Sequence, residues 1–306
     1  MRRVTTRWAA VPLALLLVTS AASMSAAQEA VTVRDADGSD VAITDASRVV
    51  TLGGVVTEIA YALGAQDKII AVDESSYYPP EALADKPTIG YHRFLAAEPV
   101  LAADPTLIIG DDTTGPPEVV SQLRDSGITT LLLPEPGDLD GTKAMVRSVG
   151  LALGLEDAAE DVVDTLDEEV SAAQDLASNA TSTPRVLFYF RPPGAPSLVS
   201  GTDTGASEMI TLAGGENVFE FFEGYVPMTP EALAEAGPDV ILTTDASLRE
   251  LGGMEGLRAE PGVAQTPAAA NGRIVSMEDL YLLGFGPRTG QAVADLARLI
   301  HPELAE

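Results

Sequence analysis

Cysteine is absent from the 306-residue chain, and histidine occurs only as His92 and His301. The first absence removes disulfides, thiolate nucleophiles and cysteine-held zinc or iron–sulfur centres. The second leaves little room for a histidine-rich metal centre. Basic residues are scarce as well: 18 Lys and Arg stand against 46 Asp and Glu, a formal charge of −28. So acidic a surface repels phosphate backbones and anionic lipid, which argues against nucleic-acid binding and direct lipid binding. Enzyme signatures are missing too, with no G-x-S-x-G elbow, Walker A loop or H-E-x-x-H helix in the sequence. The Gly-rich run Gly284 to Gly290 places its third glycine one position late for a dinucleotide fingerprint. An exported enzyme would need a general base from two histidines or a carboxylate, so a non-enzymatic role is expected.

What is present is enough apolar content to fold. Hydrophobic residues make up 46% of the chain, with 27 Gly and 21 Pro, unlike a disordered acidic polymer. Residues 1–27 begin with Arg2, Arg3 and Arg7, run through the apolar stretch Trp8 to Val18 and end in Ser25, Ala26 and Ala27. This pattern predicts a secretory signal peptide cut before Gln28. The apolar stretch is well short of the ~20 residues that span a bilayer. With no cysteine at the cleavage point, a soluble periplasmic protein without a lipid tether is expected.

From Arg48 onward short β-branched runs alternate with helical segments, which predicts parallel α/β sheets. Strands are expected at Val49–Leu52, Lys68–Val72, Leu107–Ile109 and Thr129–Leu132, with helices over Val55–Leu63 and Pro117–Asp125. Gly64 and Gly127 fall where helix C-caps belong. A second α/β region is expected from Arg185, with strands Val186–Phe190, Val240–Thr243 and Arg273–Met277 and helices Gly205–Ala213 and Thr289–Ile300. Between them, Glu156 to Leu176 carries Val162, Val163, Leu166, Val170 and Ala173 at helical spacing, with Asp161, Asp164, Asp167, Glu168 and Glu169 on the other face. This is either an ordinary amphipathic helix or a stiff link between lobes. An internal repeat supports two lobes: AEPVLAADPTLII (Ala97–Ile109) matches PEALAEAGPDVIL (Pro230–Leu242), aligning Glu98 with Glu231 and Pro105 with Pro238. The expected architecture is two similar Rossmann-like lobes, 28–154 and 179–306, joined by a linking helix at 155–178, with a ligand cleft between them.

Several residues fall at the carboxyl ends of the strands, where open α/β folds bind ligands. In DESSYYPPEAL (Asp73–Leu83), two tyrosines precede two prolines, and proline holds Tyr78 extended. Composition alone also fits a surface loop whose tyrosines pack on their own lobe. Gly90 to Phe94 then brings Tyr91, His92 and Arg93 to one sheet end. A lone, partly exposed histidine is the default for His92, and surface ion pairs are the default for Arg93 and Arg288. At the terminal helix end, His301 fits a helix-dipole contact or plain exposure.

Taken together, RVVTLGGVVTEIAYALGA, AVDESSYYPPEAL, IGYHRFLAAE, TGASEMITLAGGENV and LLGFGPRTGQA resemble the periplasmic haem-binding proteins of bacterial haem ABC importers. The broader class of helix-linked binding proteins also carries cobalamin and ferric siderophores. The resemblance implies a monomer that holds haem in its cleft and delivers it to an ABC permease and its ATPase. It further implies that Tyr78, the tyrosine before proline, ligates haem iron, with Tyr77 as runner-up because the tyrosine is doubled. Phenolate is an established haem ligand; Arg93 is the candidate cation to favour it. His92 is an outside candidate for the other haem face, and Tyr91 lies in the same segment. Arg191 and Arg288 are candidates for the propionates. Glu98 and Glu231 are candidates for docking to permease arginines, or else two solvated helix-start carboxylates.

Overall fold

The computed structural model describes residues 30–304, so the expected signal peptide, 1–27, lies outside the described residues. A hairpin of β1 (Val31–Arg34) and β2 (Asp40–Ile43) precedes the first lobe. That lobe is built on β3 (Val49–Leu52), β4 (Ile69–Val72), β5 (Leu107–Asp111) and β6 (Thr129–Leu133), paired in parallel in the order β4-β3-β5-β6. Its helices are α1 (Gly54–Ala62), α2 (Pro80–Asp85), α3 (Ala97–Ala102), α4 (Pro117–Asp125) and α5 (Leu139–Leu153). β3 and β5 are buried along their whole length because helices cover both faces, which is why they read as mostly apolar runs. Val49, Leu107 and Ile109 pack with α1 and α5, while Val50, Leu52 and Ile108 pack with α3 and α4.

The second lobe carries β7 (Arg185–Phe190), β8 (Leu198–Ser200), β9 (Glu216–Asn217), β10 (Tyr225–Val226), β11 (Val240–Thr244) and β12 (Ile274–Met277). Here β7, β11 and β12 are parallel, β9 joins β7, and β8 and β10 add an antiparallel edge. Alternate residues of β7 serve different cores: Val186 and Phe188 face one, Leu187 and Tyr189 the other. After the linking helix α6 (Glu156–Ser178), the helices are α7 (Gly205–Leu212), α8 (Pro230–Ala236), α9 (Asp245–Leu251), α10 (Met254–Ala259), α11 (Pro267–Ala270), α12 (Asp279–Leu283) and α13 (Thr289–Ile300). The internal repeat is structural: α3 with β5, and α8 with β11, are each a short helix, a proline and a buried strand.

Sequence periodicity placed no element on α5, although Asp138 caps it by accepting from the Gly141 amide and Gly154 ends it at φ 68°. The linking helix serves both cores. Its first half places Ala159 and Val163 in the first-lobe core; its second half places Ala173 and Ala177 in the second-lobe core. On the second-lobe side α6 packs against α13 at Gly290, where a Cβ would collide with the Glu169 Cβ and lie 2.8 Å from the Val170 nitrogen. No described helix is long and apolar enough to cross a membrane.

The contact between α6 and α13 makes Gly290 a test of how the link is fastened. Gly290→Val is expected to cost about 3 kcal/mol in urea unfolding, the upper range for overpacking a closed contact. Gly137→Ala, where a Cβ meets nothing within 4 Å, should stay within about 0.5 kcal/mol of the parent.

Candidate functional site

Strand β4 delivers the chain to Asp73, a fully buried carboxylate at the sheet's carboxyl end. One oxygen accepts from the Gly53 amide at 3.0 Å and the Ser76 hydroxyl at 3.0 Å. The other accepts from the Ser75 amide and hydroxyl at 3.1 and 2.7 Å and from the His92 amide and Nδ1 at 3.3 and 2.8 Å. Burial pushes the Asp73 carboxyl up, but the hydrogen bond and charge of His92 and the bonds from Ser75 outweigh it, so it lies below the ordinary aspartate value. This one side chain thereby fastens the start of α1, the turn before the paired tyrosines and the Gly90–Phe94 segment.

His92 is buried rather than partly exposed. Its Nδ1 donates to Asp73, and its Nε2 faces the Thr113 hydroxyl at 3.3 Å and an Asp111 oxygen at 3.6 Å. Both ring nitrogens face partners inside the first lobe. His301, at the C-cap of α13, is also buried, which excludes plain exposure, with Nε2 bonded to the Ala213 carbonyl at 3.1 Å.

Held on this base, Tyr77 is 59% and Tyr78 39% exposed, beside the exposed rings of Tyr91 and Phe94. The hydroxyl of Tyr78 has no hydrogen-bond partner among the described residues. The cation against Tyr78 is Arg288, not Arg93: the Arg288 guanidinium carbon lies 3.5 Å from the Tyr78 ring centroid and 4.8 Å from that of Tyr281. Arg93 instead pairs with Glu135 at 2.8 Å. Arg288 comes from the second lobe, at the N-cap of α13, and forks onto the buried Glu58 of α1 through Nε at 3.0 Å and Nη2 at 2.8 Å. Burial works against its charge, but the bonds and charge of Glu58 prevail and hold the guanidinium more firmly protonated than a free arginine. The Arg288 guanidinium is thus already engaged by a carboxylate of the protein. Arg191 likewise folds back on its own lobe, bonded to Ser197 at 2.9 Å.

A cavity of about 360 Å³ adjoins Tyr78 and Pro79, bounded by Glu58, Tyr61, Glu169 and Arg288. The second lobe presents Tyr225 at its surface, with Phe190 against it at 6.1 Å between ring centroids, and an exposed Phe221 packed on Phe219 and Phe222. Burial raises the Tyr225 phenol, and the charge of Glu135, from the facing lobe, adds to the rise. Sequence reading missed Glu58, Tyr225, Phe221 and Tyr281. The run Phe219 to Phe222, in a chain with 5% aromatics, was the available signal for part of this wall. Glu98 and Glu231 are both exposed in the first turns of α3 and α8, and neither has an ion-pair partner among the described residues.

Comparison with known proteins places this geometry in context. A family model described as periplasmic binding protein matches residues 49–280. The apo structure of the periplasmic heme-binding protein RhuT from Roseiflexus sp. RS-1 is 40% identical, with a TM-score of 0.80 over 86% of this chain and 100% of that one. The periplasmic heme-binding protein BhuT, solved in complex with two hemes, is 37% identical, with a TM-score of 0.77 over 84% of this chain and 98% of that one. The vitamin B12-binding protein of Vibrio cholerae is 29% identical over 255 residues, 81% of this chain and 87% of its own.

The Asp73 network predicts a signed pH dependence. Because its folded value is lowered, Asp73 contributes stability above the unfolded value of ~3.9 and loses it as pH falls through the folded value. Asp73→Asn should therefore cost about 3 kcal/mol at neutral pH, since a neutral amide cannot replace a charged acceptor of six bonds. That cost should shrink in urea curves taken at pH ~3, below the unfolded value.

Proposed function

The chain belongs to the periplasmic binding protein family, and on that premise we propose that it is the haem-binding component of an ABC importer, acting in the periplasm. Haem is the cargo, bound in the cleft and handed on unchanged. The observation that carries this reading is Tyr78: an exposed phenol at the cleft, its hydroxyl free of protein partners, on a turn fixed by a buried carboxylate. Ferric haem needs a hard axial donor, and phenolate is one. It also needs apolar walls, for which the exposed rings of Tyr91 and Phe94 on the first lobe and Tyr225 on the second are suited. Tyr77, more exposed and one residue earlier, is the alternative ligand. With His92 committed to Asp73, iron is held by a tyrosine without histidine.

The side chains of Arg93 and Arg191 each make one polar contact, to Glu135 and Ser197. Arg191 can exchange its serine hydroxyl for a propionate, a stronger acceptor, and Arg93 can exchange one carboxylate for another. Glu98 and Glu231 present matching unpaired carboxylates on the two lobes, suited to arginines of a permease. A corrinoid is the second reading, supported by the similarity to a vitamin B12-binding protein. It makes no use of Tyr78.

Hemin titrated into the purified protein is expected to give a shifted Soret band, and cobalamin to give no saturable binding. Tyr78→Ala should weaken hemin binding by about a hundredfold, the loss of one coordinate bond worth on the order of 3 kcal/mol, while Tyr77→Ala should change it little. Saturable cobalamin binding without a hemin response would establish the corrinoid reading instead. In a reconstituted importer, Glu98→Ala combined with Glu231→Ala should leave hemin binding intact and abolish stimulation of the ATPase; normal stimulation would remove both residues from the interface.

A further inference from the structure

Lysine occurs only three times in this chain, and each lysine is tied to one place. Lys68 donates to the Leu153 carbonyl at 2.6 Å, Lys86 donates to the Gln66 carbonyl at 2.9 Å, and Lys143 pairs with Asp167. Without residues 1–27, which hold three arginines and no acid, the formal charge of −28 becomes −31. The excess is densest on the linking helix. α6 carries nine carboxylates and no basic residue, and eight of the nine are exposed. Glu156 and Glu160, Asp157 and Asp161, Glu160 and Asp164, and Asp164 and Glu168 each stand one helical turn apart, where like charges repel. Among the described residues only Glu160 and Asp167 of this helix form ion pairs, with Arg147 and Lys143 of α5. The helix ends give no relief: no side chain caps the N-terminus, and the last turn holds Asp175 and no base, at the negative pole.

This helix nonetheless has to hold, because both cores are packed on it. Repulsion between exposed charges is screened by salt, whereas the apolar packing that opposes it is not. Raising salt from ~0.01 M to ~1 M shortens the reach of a charge from about 30 Å to about 3 Å, below the roughly 5 Å between neighbours on a helix face. Salt also weakens attractive surface pairs such as Arg34–Asp40 and Arg298–Asp295, but such pairs contribute little and the carboxylates far outnumber them. The strip of the second lobe from Leu280 to Arg288 runs along α1, with Leu280 at Gly54 and Gly286 at Glu58, and closes on a buried ion pair that screening reaches much less. We propose that the protein is adapted to concentrated salt: ionic strength tightens α6, the helix shared by the two lobes, and dilute solution loosens it while the pair of Glu58 and Arg288 still holds. The inference is independent of which cargo the cleft carries.

The test unfolds full-length mature protein in urea, which is uncharged and leaves ionic strength fixed. Between ~0.01 M and ~1 M NaCl the urea midpoint is expected to rise by about 0.5 M. Amide hydrogen exchange within α6 should slow about tenfold over the same range, the summed effect of its like-charge pairs. Asp161→Lys combined with Asp164→Lys gives Asp157, Glu160 and Glu168 a cation one turn away, and should remove most of the α6 response to salt. Glu220→Lys combined with Glu223→Lys makes the same change in net charge at two exposed positions of the second lobe, and should leave the α6 response as in the parent. A midpoint that stays level or falls with salt would overturn the proposal. So would an α6 response retained by the helix variant, the mark of general exclusion of salt from the surface, or one removed equally by the Glu220 and Glu223 variant, the mark of net charge alone.

Discussion

The buried carboxylate of Asp73 is the constraint on which the first lobe's half of the cleft depends. A charge removed from water is costly unless every lone pair is engaged, and Asp73 meets that demand by drawing in the start of α1, the Ser75–Ser76 turn and His92. Two of these partners are the stems of exposed groups: the turn carries Tyr77 and Tyr78, and His92 carries Tyr91 and Phe94. Gly53 lies at the centre of this arrangement with φ 100°, and a Cβ there would strike the Asp111 carboxylate. Only glycine fits both the backbone and the space. The polar network thus gives exposed aromatics a fixed geometry without burying them.

Two further features join this half-site to the other lobe. The linking helix α6 contributes apolar side chains to both cores, so each lobe's packing energy resists displacement of the helix. The strip ending in Arg288 runs along α1 and closes on Glu58. A helix shared by two cores together with a buried interlobe ion pair favours small adjustments between lobes over wide hinge opening. Of the many surface carboxylates, Glu58 is set apart by burial and by a forked arginine, and its contribution to geometry exceeds that of exposed pairs such as Arg34–Asp40.

Much of the fold was legible before any coordinates. The buried parallel strands announced themselves because a strand covered on both faces is mostly apolar or β-branched, as Val49–Leu52 and Val240–Thr244 are. The repeat of helix, proline and strand was visible because proline leaves few local alternatives. The helix α5 and the antiparallel edge of β8 and β10 were harder to read, since short or mildly patterned segments take their conformation from neighbours rather than from period. The exposed tyrosines and the carboxylates of Glu98 and Glu231 lie at the strand ends and helix starts where the sequence pattern put them.

What the sequence alone determined was therefore the chemical inventory and its rough placement: no thiol, almost no imidazole, paired tyrosines before proline at a strand's end, and two α/β lobes around a long acidic helix. Which cation meets which tyrosine was decided only by tertiary structure. Arg93 is near Tyr78 in sequence and Arg288 is not, yet Arg288 lies over its ring while Arg93 turns to Glu135. His92 was likewise legible as a residue but not in its role, because its burial depends on Asp73 and Asp111 arriving from separate strands. Side-chain pairing of this kind depends on distances set by packing between elements, and a linear pattern of residues carries no direct measure of those distances.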